Sequence, residues 1–250
     1  KWDNRFYNPS YLAFTQLPLP GSGADGRCPR YAARQHDRLF ALLVGDLLRF
    51  ELAVHDGTAT WLPAIAPDTR VTVKRCRLGV RALTPTLARR GLLPEHVSRD
   101  PISAARALSG AIEADATPRE RLILELTMLP VSHVHDEYMF MRVLQSFEST
   151  FALVSVQLTA AIGALSRGRA AAAATAVENA DSTMREASLL FSLVATMRTE
   201  AFLTFREKTD GASPIQSRHY KLMESLCRRP DATRLNSPAY LSVPEVREHV

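Results

Sequence analysis

Apolar residues recur at three- and four-residue spacing over most of this chain, which is the pattern of helices that each bury one face. The clearest run is Phe140, Leu144, Phe147, Phe151, Val154 and Leu158, which predicts one long helix over 135–166, closed by Gly168. A second run, Met184, Phe191, Val194, Phe202 and Phe205, predicts another long helix over 170–209 with an alanine-rich start. Asp210-Gly211-Ala212-Ser213-Pro214 breaks that helix and opens a third over 214–228. Nearer the N-terminus, Leu39, Leu42, Leu43, Leu47 and Phe50 predict a helix over 31–55 that Gly57 ends.

Local signals place the shorter elements. Thr117-Pro118-Arg119-Glu120 has Thr at the N-cap, Pro at the first helical position and Glu where a capping box needs it. Thr84-Pro85 and Ser103 also read as helix starts. The stretch 58–80 is interrupted by Pro63 and Pro67, and Val71-Thr72-Val73 reads there as a short strand or an extended link. The first 30 residues carry several prolines and glycines and read as an aromatic-bearing segment followed by a loop. No repeat, low-complexity linker or shift in composition divides the chain, so the expected fold is all-α, a single helical domain over 1–250.

Composition supports a conventional core, since 46% of the 250 residues are hydrophobic. The formal charge of +5 comes from 31 Lys and Arg against 26 Asp and Glu, and the two signs alternate, as in Arg119-Glu120-Arg121. A nucleic-acid binder concentrates its positive charge on one face, so no nucleic acid is expected as a partner. No run of about 18 uncharged apolar residues suggests a membrane span, and the first residues lack the apolar core of a signal peptide, so a cytoplasmic location is expected. Cys28, Cys76 and Cys227 are too widely spaced for a disulfide framework or a zinc module.

Few routes to a reaction remain. The chain has no His-Glu-x-x-His, Cys-x-x-Cys, nucleophile elbow or phosphate-binding glycine loop. What it has are two helical blocks, His135-Asp136-Glu137 continuing through Phe140, Leu144 and Gln145 to Glu148, and Phe202-x-x-Phe205-Arg206 continuing through Ala212-Ser213-Pro214-Ile215-Gln216-Ser217 to His219. Phe202 and Arg206 share a helix face, and a guanidinium beside an aromatic ring suits the carboxylate and ring of an aromatic amino acid.

Together these blocks resemble the haem-binding core of the tryptophan 2,3-dioxygenase superfamily. The resemblance implies that superfamily's helical haem-binding fold, a b-type haem and an aromatic amino acid substrate. Leu144 stands where the dioxygenases have a catalytic His, which turns the expectation away from indole cleavage. The family's usual axial His lies on a helix well past the Gln-Ser motif and precedes a glycine-rich signature, and neither is found in residues 218–250. The resemblance therefore narrows to the shortened branch, the haem-dependent L-tyrosine hydroxylases of antibiotic biosynthesis, which carry a His soon after Gln-Ser.

On that resemblance His219 is the expected iron ligand, with Phe205, Gln216, Ser217 and Leu144 against the haem. His135 is the expected distal acid-base group, and His133 is its rival. Arg206 is expected to anchor the substrate carboxylate, with Phe202 and Phe140 as the aromatic wall. Tyr7-Asn-Pro-Ser-Tyr11-Leu12 is similar to the family's Tyr-x-x-Tyr-Leu segment, which implies that Tyr11 reaches a substrate pocket and that the chain forms a homodimer. The implied reaction hydroxylates L-tyrosine to L-DOPA with hydrogen peroxide or dioxygen. A superfamily oxygenase for tryptophan or a methylated tyrosine, and a non-catalytic helical binding protein, are the alternatives. His36, His55, His96 and His249 fall in loops or on polar helix faces, and most of them are expected to be solvated.

Overall fold

A computed structural model describes residues 11–22, 28–209, 217–241 and 243–247. The protein is all-α over these residues: the only extended pairing is an isolated parallel bridge between Ala64 and Val134. After a 3-10 turn at Phe14–Gln16 come α1 (Pro29–His55), α2 (Thr69–Arg89), α3 (Pro101–Asp115), α4 (Pro118–Leu126), α5 (His135–Leu165), α6 (Ala170–Val194), α7 (Thr199–Arg206) and α8 (Arg218–Cys227). Three one-turn helices follow, α9 (Ala232–Leu235), α10 (Pro238–Leu241) and α11 (Pro244–Arg247).

The long helix expected over 135–166 is α5, and it is the centre of the molecule, packed against α1, α6, α7 and α8. The sequence pattern predicts one buried face. The structure instead buries every residue from His135 to Ser155, because helices surround this segment on all sides. Among the described helices α5 by itself has the length and composition of a membrane span, and here it serves as the core helix. Leu43, Leu47 and Leu48 of α1 and Leu83 and Leu87 of α2 seal the neighbouring layer at 1% exposure or less, each contributing roughly 1.5–3 kcal/mol of burial.

Several boundaries differ from expectation. The segment Val71-Thr72-Val73 is not extended: it forms the first turn of α2, which Asp68 caps by accepting from the Val71 N–H at 2.8 Å. Pro85 lies inside α2 and does not start a helix. Helix α3 begins at Pro101 with Asp100 as its cap, ahead of Ser103. The capping box of Thr117 and Glu120 is present as predicted. The helix expected over 170–209 is two, α6 and α7, which meet at 92° across a break at 195–198. Helix α8 starts at Arg218 with Ser217 as its cap; residues 210–216, and with them the predicted start at Pro214, lie outside the described residues.

The break between α6 and α7 contains neither Gly nor Pro, and a buried polar cluster holds it. Arg75, 1% exposed, donates from Nε to Thr196 Oγ1 (2.9 Å), from Nη1 to Glu51 Oε1 (2.9 Å) and from Nη2 to Asp136 Oδ1 (2.7 Å). The other oxygen of Asp136 accepts from the Arg198 N–H at 3.2 Å. One guanidinium thus ties α1, α2, α5 and the bend together. His135 and Glu137 complete the tie: His135 Nε2 lies 3.1 Å from Glu51 Oε1, and Glu137 accepts from the N–H groups of Val131 and Ser132 and from Tyr11. His36 is a further correction, since it is buried with Nδ1 3.0 Å from Ser149 Oγ, and burial pulls its pKa down to about 4.

Candidate functional site

A cavity of about 1010 Å³ runs beside the second half of α5. Small side chains on that helix, Ala152, Ser155, Ala160 and Gly163, leave the space open, and the segment Leu12–Ser22, α8 and α11 form its other walls. Gly21 makes the turn of the N-terminal segment with φ +87°, and a Cβ there would stand 3.0 Å from Val156. The volume is at the upper end of the range of about 300–1,000 Å³ for ligand pockets.

His219, in the first turn of α8, lines this cavity and meets Glu148 of α5, also a lining residue, with Nδ1 2.6 Å from Oε1. Glu148 is 1% exposed, so the pair is shielded from screening. The other ring nitrogen, Nε2, is 3.3 Å from Nη1 of Arg218. A guanidinium only donates, so Nε2 is the acceptor and the imidazole proton sits on Nδ1, facing the carboxylate. Glu148 Oε2 has no hydrogen-bond partner among the described residues, and neither has Nζ of the buried Lys221, two residues after His219 in α8. Burial lowers the Lys221 pKa to about 8, opposed by the nearby Glu148.

No group of three or more His, Cys, Asp or Glu among the described residues is arranged to hold a bare metal ion. A haem needs only one protein donor. A carboxylate-held imidazole with its second nitrogen free of a proton, in the wall of a largely apolar cavity, meets that requirement.

The two sequence blocks converge in space, though not on one cavity. Phe140 of α5 packs against Phe205 (5.2 Å) and Phe202 (6.1 Å) of α7, and Phe202 meets Phe205 edge-on at 5.6 Å. Arg206 lies over the Phe202 ring at 5.2 Å. It is exposed and has no ion pair among the described residues, so this contact contributes about 0.5–1 kcal/mol. The aromatic trio is close-packed, and neither it nor Arg206 lines the large cavity. Leu144 is in the core, 2% exposed, and Ser217 caps α8. Gln216 lies outside the described residues.

Tyr11 and His135 are both held in the core by acidic side chains. Tyr11 is buried and donates to Glu137 at 3.0 Å, a contact that raises its pKa further above the level burial sets. It is not among the residues that line the large cavity, although its neighbour Leu12 is. His135 is fully buried, stacked 4.8 Å from Phe50, and along α5 it stands about 20 Å from Glu148 at the ~1.5 Å rise of a helix. It lines neither the large cavity nor a smaller one of about 410 Å³ formed by Arg49, Phe50, Trp61 and Tyr138. His133 is exposed, as are His55 and His96, while His249 lies outside the described residues.

In the sequence Glu148 belongs to a motif but has no evident partner, and Arg167, Arg218 and Lys221 carry no signal of a site. Nothing local marks those three: each acquires its position from helices that meet only after folding. Comparison with protein-family models, with curated proteins and with solved structures finds no match to this chain.

Proposed function

We propose that this protein binds haem b through His219 and oxidises an aromatic amino acid, with L-tyrosine as the substrate and hydroxylation ortho to its phenol as the reaction. The observation that carries this reading is the Glu148–His219 pair at 2.6 Å in the wall of the large cavity. The two residues come from the two blocks that resemble the haem-dependent aromatic oxygenases.

Each residue has a defined task in this reading. Glu148 accepts the Nδ1 proton of His219, fixing the ring's orientation and raising the basicity of Nε2, the nitrogen that would hold the iron. Bound haem would supply the oxidising power, with hydrogen peroxide giving one oxygen to the ring and leaving the other as water; with dioxygen a two-electron reductant would also be required. On the resemblance Arg206 would pair with the substrate carboxylate, from the exposed end of α7 and outside the cavity that His219 lines. Phe140 and Phe205 pack against Phe202 and hold its ring in place.

The test is optical. Reconstitution of the full chain with haemin is expected to give a Soret band that His219→Ala abolishes or shifts, and L-tyrosine is expected to perturb the band in the unaltered protein. A chain that takes up no haemin ends the haem reading. A stable Soret band that Arg206→Met leaves equally responsive to tyrosine removes Arg206 as the anchor. Retained haem with no hydroxylated tyrosine, under peroxide or dioxygen, moves the substrate to another aromatic amino acid.

A further inference from the structure

Positive and negative side chains alternate along most of the chain, and the expectation of no nucleic-acid partner rests on that alternation. Helix α2 departs from it: its 21 residues hold six cations and no acid. Two of the six are tied down, Arg75 in the core and Arg89 on Asp37 and Glu186. The other four, Arg70, Lys74, Arg77 and Arg81, are all exposed, and none has an ion pair or a side-chain hydrogen bond among the described residues. At about 100° per residue they fall within an arc of about 60°, and at ~1.5 Å per residue they form a straight row about 16 Å long.

This row works against the helix that carries it. Neighbours within it stand three or four residues apart, where like charges repel. Arg70 lies in the first turn, where the helix's own positive end disfavours a cation. Asp68, the nearest acid in sequence, accepts from the Val71 N–H and pairs with none of the four. An anion laid along the row would relieve each of these repulsions.

We propose that this face of α2 binds the phosphate backbone of duplex nucleic acid, without regard to base sequence. A duplex carries one negative charge per ~1.7 Å of its axis, so a row of this length meets a continuous line of anions. Three of the four cations are arginines, whose planar guanidinium matches a phosphate with two parallel N–H donors. What the face lacks narrows the partner further. No large apolar side chain of α2 is exposed, so the face has neither an anchor to seat a protein partner nor a wedge to hold the helix in a bilayer. It offers no aromatic ring on which single-stranded bases would stack, and no Asn or Gln to read base edges.

The inference is independent of the haem and is tested on the full chain by fluorescence anisotropy, using a labelled duplex of about 20 base pairs, as DNA and as RNA, across a salt series. Four phosphate contacts give a slope of log affinity against log salt of about −3.6, a loss of roughly 150-fold between about 50 and 200 mM. Arg77→Gln with Arg81→Gln is expected to halve the slope to about −1.8, and Gln at all four positions to abolish binding. Both variants are expected to melt no lower than the unaltered chain, because they remove exposed like-charged neighbours, so loss of binding and loss of fold are told apart. Arg228→Gln with Arg229→Gln takes equal charge from another exposed place and is expected to leave the slope at its starting value.

Binding of either duplex with the expected slope supports the proposal, and the tighter one identifies the source of the phosphates. A slope shallower than about −2 in the unaltered chain overturns it. So does a slope that the Arg228 and Arg229 changes lower as much as those at Arg77 and Arg81. Phosphatidylserine vesicles or a polyglutamate peptide that bind as tightly as the duplex at equal salt assign the face to a membrane or to an acidic protein, and overturn the proposal as well.

Discussion

Replacing Arg75 by Met keeps most of the side chain's volume but removes the guanidinium that faces Glu51 and Asp136, both at most 1% exposed. Removing one partner of a buried ion pair costs about 3–5 kcal/mol, because the remaining charge is left without compensation. Whole domains are stable by only about 5–15 kcal/mol, so about a fifth or more of the total is at stake. In the unaltered protein burial raises the Glu51 pKa, and the His135 contact and the Arg75 guanidinium outweigh it, for a net lowering. Glu51 therefore adds stability above the ordinary carboxylate pKa, and this contribution is lost as pH falls through its lowered value. In the variant burial is no longer offset by the guanidinium, so the Glu51 pKa rises and the penalty shrinks as pH falls toward the ordinary carboxylate range. Urea denaturation followed by circular dichroism at pH 7 and pH 5 measures both effects. The expected result is a loss of about 3–5 kcal/mol at pH 7 that becomes smaller at pH 5. A loss below about 1 kcal/mol at pH 7, or one that grows on acidification, refutes the account of the cluster as a buried electrostatic tie.

Two other perturbations probe separate parts of the fold. His36 has a pKa depressed by burial from 6.5 to about 4, so its neutral form contributes stability above pH 6.5 that is lost on acidification. About 2 kcal/mol should disappear between pH 7.5 and pH 5, and His36→Phe should flatten this part of the pH profile; an unchanged profile would place the titration elsewhere. Thr117→Ala removes the cap of α4 and one half of its capping box, and should cost about 1 kcal/mol in thermal or chemical denaturation. A loss indistinguishable from zero there would mean that Glu120, held by Arg38, secures the helix start by itself.

The candidate site was legible in part, for identifiable reasons. Phe202 and Arg206 were expected on one face of a helix, and the ring–guanidinium contact lies within a single turn of α7. His219 could be singled out only through its distance from a motif, and its partner Glu148 is 71 residues away in sequence. The opposite failure is instructive in His135-Asp136-Glu137. The segment looks like chemistry, yet in the structure each of its side chains is engaged by a different element: Glu51 of α1, Arg75 of α2, and the loop at 131–132. Acid, base and imidazole at adjacent positions are equally suited to catalysis and to cross-linking a core, and only their surroundings separate the two.

The sequence by itself determined that this protein is helical, because apolar spacing, the Thr117 capping box and the glycines after α1 and α5 act through neighbours a few residues away. Tertiary structure decided what those local forces leave open. The 92° turn between α6 and α7 has no breaker of its own and exists because Arg75 and Asp136 capture Thr196 and Arg198. The large cavity likewise arises where small residues of α5 face α8, α11 and the N-terminal segment, since an unfilled space is a property of how helices meet and is encoded in none of them singly.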